Sequence, residues 1–149
     1  MDIKKYFSEI KGDLPSFEEF DSEFEISDIE TNFAFKIGEK ICDKVDKYRK
    51  IIEDFIHSDG SNLAVLMEIN GLDEKDKEEL NILYRDMIII DRNFLICELE
   101  NKESNYITFI VDSIKKWNQM RPKIKGILVK AVSSWKDELT VQDKLGYLG

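Results

Sequence analysis

His57 is the only histidine of the chain, with Glu53 four residues and Asp54 three residues before it. On a helix these acids fall on the same side as the imidazole. A carboxylate and an imidazole so placed could ligate a metal ion or shuttle a proton near neutral pH. One such pair is too few for a di-iron helical centre, which takes two Glu-x-x-His units and two further glutamates. An imidazole near a helix C-terminus is also favoured by the helix dipole alone, with no chemistry attached.

Nucleophilic schemes meet the same shortage. No Ser or Cys sits in an elbow motif, and a lone histidine leaves one base for every mechanism. The glycines at 12, 38, 60, 71, 126, 146 and 149 form no phosphate-cradling loop, and zinc-ligand spacing is missing. Cys42 and Cys97 stand singly inside apolar periodic segments, so two buried thiols are expected rather than a disulfide or a metal site. Glu25 with Asp28, and Glu100 with Glu103, are three apart, the spacing with which helical NTP pyrophosphatases hold magnesium on facing helices. In a chain with 31 acidic residues such pairs arise freely. Catalytic residues, metal ligands and cofactors are therefore not assigned, and the sequence leans away from an enzyme.

Charge is the feature that does stand out. From Asp13 to Phe35 there are eight carboxylates and no basic residue, whereas Ser113 to Lys136 holds seven Lys or Arg, no carboxylate, and both tryptophans. The net charge of -9 averages over these two windows. Lys116, Lys123 and Lys130 recur every seven residues and would stack along one helical face, flanked by Lys115, Arg121 and Lys125. Such a row could follow a phosphate backbone with Trp stacking on bases, or meet an acidic protein. Both Trp117 and Trp135 fall on the apolar stripe, which makes them core residues first. In the acidic window, Glu18, Glu19, Asp21 and Glu23 surround Phe17, Phe20 and Phe24, so a packed segment is expected. That segment has three readings: a solvated surface, an internal cover over the basic helix, or a ligand for another protein's basic groove.

The elements that must carry these faces read as helices. Ile3, Phe7 and Ile10 mark a short first helix, and Ser16 with Glu19 has the form of a capping box before a second. From Asp28 to Phe55 apolar residues recur three or four apart, a long helix ended by Asp59-Gly60. A short helix over 61–70 follows, then a second long one capped by Asp73. Residues 87–111 are rich in branched and aromatic side chains and could instead form a small antiparallel meander, but the alternation by three and four favours helix. The final long element runs through Trp135, with Pro122 expected to break or kink it and a capped turn at Thr140 and Asp143. The fold predicted is all-α, an irregular bundle of five to seven helices, two or three of them long, in one domain over 1–149. The alternative is α+β through the meander.

No apolar stretch approaches the length of a membrane helix, and Met1-Asp2-Ile3-Lys4-Lys5 leads into no signal-peptide core. A cytoplasmic protein without a membrane partner is expected. The reading these residues support is a non-enzymatic interaction module or complex subunit that binds a protein partner through acidic 13–35 and basic 113–136. The alternatives are a nucleic-acid-contacting accessory protein and a magnesium-dependent hydrolase. Segregated charge further predicts that the chain self-associates or closes on itself electrostatically. Sedimentation velocity and hydrogen exchange at low and high salt measure this; unchanged mass and protection would remove the idea.

Overall fold

Helical spacing dominates from end to end, and the computed structural model, which describes residues 1–57 and 62–137, is helical throughout. Its six helices are α1 (Ile3–Ser8), α2 (Phe17–Phe24), α3 (Phe33–Ile56), α4 (Leu63–Ile69), α5 (Glu74–Glu100) and α6 (Glu103–Lys136). The three long ones are α3, α5 and α6, and there is no strand among the described residues. The meander considered over 87–111 is not formed; those residues belong to α5 and α6, joined at Asn101-Lys102. Asn101 takes a positive φ of 51° there, a conformation its short polar side chain tolerates, and its amide bonds the carbonyl of Cys97. No helix among the described residues is long and apolar enough to cross a membrane.

By its contacts the chain divides into two compact units, and α3, α5 and α6 contribute to both. The first joins Met1–Lys47 to Asp86–Gln119; the second joins Tyr48–Arg85 to Met120–Gly149.

In the first unit, local caps start the short helices. Asp2 accepts from the amide of Lys5, and Ser16 from that of Glu19 as expected. The acidic segment then packs through its rings: Phe7 lies 4.9 Å from Phe20, Phe20 4.8 Å from Phe24, and Phe24 6.4 Å edge-on to Trp117. Helix α3 begins at Phe33 rather than near Asp28, because Asn32 is left-handed at φ 51° and interrupts the rise. Ile26 and Ile29 are nonetheless buried, from a turn closed by the Ile29 amide on the carbonyl of Ile26. A second ring cluster sets Phe94 between Phe35, Tyr106 and Phe109 at 5.3 to 6.0 Å. Gly38 faces it so closely that a Cβ would stand 2.7 Å from the Phe94 ring.

In the second unit, Asn62 caps α4 and a reciprocal box opens α5: the Asp76 amide bonds Asp73, and the Asp73 amide bonds Asp76. Ile52, Phe55, Met67, Leu83, Ile124 and Ile127 are among its buried side chains. Helix α6 runs unbroken through Pro122, contrary to the expected break. Asn118, whose carbonyl loses its amide donor to the proline, is exposed, as is Pro122, so water can replace the missing bond. Trp117 is 2% exposed, as its place on the stripe required, but Trp135 is 44% exposed, lying one turn beyond the last buried residue, Ala131. The stop at Asp59-Gly60 and the turn at Thr140 and Asp143 lie outside the described residues.

Two glycines on exposed and buried helix faces should respond oppositely to a methyl group. Gly126 has open space around it, so Gly126→Ala should raise unfolding free energy by roughly 0.5–1 kcal/mol. Gly38→Ala should lower it by about 1–3 kcal/mol, because Phe94 is held by its own ring neighbours and cannot yield. Chemical denaturation measures both, and equal effects would contradict this packing.

Candidate interaction surface

The lysine row exists, but it is occupied. In the first unit Lys116 Nζ lies 3.1 Å from Asp86. In the second, Lys123 Nζ lies 3.9 Å from Glu79, and Lys130 Nζ lies 2.6 Å from Asp76 and 4.0 Å from Asp73. Each step of seven along α6 thus meets a carboxylate of α5, taken in the opposite chain direction. The hydrogen bond from Lys130, joined by the capping bond from the Asp73 amide, holds the Asp76 carboxyl below its usual range, and the same contact holds the Lys130 ammonium above its own. These three lysines, expected to face a partner, pair with α5 and keep their side chains about half exposed.

The acidic residues are similarly engaged within the first unit. Trp117 donates from Nε1 to Glu23 at 2.6 Å, which brings the acidic segment onto the basic helix at that point. Glu18 pairs with Lys4 at 3.1 Å, and the Asp21 carboxylate accepts from the amide of Ser27. Glu19 is exposed and contributes its backbone amide to the cap of α2. Lys115 borders a shallow depression with Asp13, Leu14 and Pro15. Lys125 is exposed and meets no carboxylate among the described residues, whereas Arg121 has partners of its own.

Groups with chemical potential are scattered. His57 is exposed and edge-on to Tyr84 at 6.0 Å, while Glu53 is drawn to Arg49 at 3.2 Å. Burial pushes the Cys42 thiol up, reinforced by Asp91, Asp46, Asp43 and Glu98, and it pushes the Cys97 thiol up as well, so thiolate is disfavoured at both. Glu100 and Glu103 do not share a helix: Glu100 accepts from Asn105, and Glu103 accepts from the Tyr6 hydroxyl at 2.5 Å. Burial, with that carboxylate, raises the pKa of Tyr6. Among the described residues no three His, Cys, Asp or Glu side chains are gathered as a metal site.

What the spacing argument did not find is a second apolar face on α5. Ile89 and Ile96 are 48% and 50% exposed, and Leu99 is 88% exposed. Ile89 and Ile96 border an open groove of about 440 Å³ between α5 and α6 in the first unit, also lined by Asn93, Phe109 and Asp112. The signal was legible in the run Ile88-Ile89-Ile90 and in Leu95-Ile96: consecutive apolar residues exceed one helical stripe, so some must face outward. In the second unit α6 likewise exposes Val129 and Val132, at 54% and 50%. Comparison of the chain with family models, with curated proteins and with solved structures finds no match in any of the three.

The Lys130–Asp76 contact fixes a pH dependence. A carboxyl held low in the folded chain stabilises it fully above the ordinary value of about 3.9, and that contribution fades as acid protonates it; the raised ammonium contributes below about 10.4 and fades above. Asp76→Asn, which keeps an oxygen for the Asp73 amide, should therefore lower Tm across the neutral range. The deficit should close as acid protonates the Asp76 carboxyl, below that ordinary value. Thermal melts from acid to neutral pH measure it, and a deficit independent of pH would contradict the assignment.

Proposed function

We propose that this chain is a non-enzymatic helical interaction module, a subunit that docks a protein partner. The observation that carries this reading is the exposed aliphatic face of α5 in the first unit, Ile89, Ile96 and Leu99, beside the groove that ends against Phe109. A soluble helix keeps its apolar residues on one face; one that carries them on two has a second surface to cover. The charged windows then shape the rim of recognition, and apolar contact supplies most of the affinity. A nucleic-acid role for the basic helix has less support, since Lys116, Lys123 and Lys130 are each held by an α5 carboxylate. A magnesium-dependent hydrolase has no acid cluster among the described residues to support it.

The double variant Ile89→Glu, Ile96→Glu tests the reading. Both side chains are half exposed, so Tm should stay near wild type. Recovery of proteins cross-linked to the chain in its native host should fall at least about tenfold, the loss expected when charge enters an apolar contact worth ~1.4 kcal/mol or more. Equal recovery by variant and wild type would refute it.

A further inference from the structure

We infer that one occupant of the groove is a second copy of this chain, entering with the outer face of its α6. This rests on the interaction-module reading and names a partner for it. Along α6 in the second unit, Lys125, Val129, Val132 and Lys136 follow at steps of four, three and four, which places them in one stripe. All four are exposed, and neither lysine meets a carboxylate among the described residues. From Lys125 to Lys136 the stripe covers about 16 Å of helix at 1.5 Å per residue.

The groove in the first unit has the matching length and the opposite character. Its walls run from Asp86 to Cys97 on α5 and from Asn105 to Lys116 on α6, each about 16 Å by the same rise. Ile89, Ile90, Ile96 and Phe109 give it an apolar lining suited to branched aliphatic side chains. Of its charged residues, Asp86 and Lys116 pair at 3.1 Å, and Asp112 is exposed and forms no ion pair among the described residues. The groove is thus net negative, and the stripe is net positive. A single contact covers two aliphatic surfaces that would otherwise face water, and brings unpaired ammonium groups toward an unpaired carboxylate.

An anionic membrane or a nucleic acid could also attract the stripe, but neither accounts for the groove. Both would meet the lysines of the stripe and leave the apolar groove uncovered. A docked helix reads only what lies within a Debye length of about 8 Å. The two surfaces differ and each copy offers one of each, so the contacts either close reciprocally in a dimer or propagate from copy to copy.

Sedimentation velocity on the full chain tests this. The wild type should exceed its monomer mass of 17.5 kDa increasingly with concentration. Ile96→Glu spoils the groove and Val132→Glu spoils the stripe, so each alone should stay monomeric. Mixed together they should form a one-to-one dimer and nothing larger, because each supplies the surface the other lacks. Circular dichroism melts establish that both fold; Ile96→Gln and Val132→Gln serve if either does not. A wild type monomeric at every concentration, or a mixture that stays monomeric, overturns the inference. If the monomeric wild type still cross-links a host protein through Ile89 and Ile96, the inference falls and the interaction-module reading stands; loss of both removes both.

Discussion

Helix α5 carries more branched aliphatic surface than one packed face can hide, and most other features follow from that excess. Its inner residues, Leu83, Met87, Ile90 and Phe94, are buried and make up much of the helical core. The neighbouring positions Ile89 and Ile96 cannot turn inward as well, since a helix advances 100° per residue and residues one or two apart face different directions. Burying one set fixes the other set outside. The apolar contact that holds the fold together therefore also leaves an apolar surface on the outside.

Electrostatics plays a supporting part that differs from its appearance in the sequence. Three lysines of α6 meet acids of α5, and Glu23 receives the indole of Trp117. With their lysines half exposed, such pairs add modest free energy singly. They do discriminate between registers, because sliding α6 by one helical turn would set lysines against Ile82 or Ile89 in place of Glu79 and Asp86. The opposite charges of the two windows are partly spent inside the molecule, and what remains outside is a negative chain with a few uncovered lysines near the end of α6.

The helices were legible because apolar residues recur at three and four over long stretches, and the caps at Ser16 and Asp73 because capping needs only local residues. The start of α3 was misplaced: Ile29 keeps the helical spacing, yet left-handed Asn32 stands between it and the helix, and spacing does not register the backbone of a single residue. Trp135 was assigned to the core by its periodicity, but a stripe gives direction and not depth, and Trp135, one turn past Ala131, is 44% exposed. The lysine row was found from its seven-residue repeat, while its partners are thirty or more residues away in the chain and no local pattern announces them. The outward face of α5 escaped because a periodicity argument asks which residues point inward and then stops.

The central claim, that α5 has a second apolar face which the described residues leave open, is tested most directly by methyl-resolved NMR with a soluble paramagnetic probe. At high dilution the methyl signals of Ile89 and Ile96 should broaden strongly, while that of Ile37, which is fully buried, should not. Raising the protein concentration should then shield the first two and leave Ile37 unchanged. Shielding of Ile89 and Ile96 at the lowest concentration would mean that the chain covers them itself, and would contradict the account.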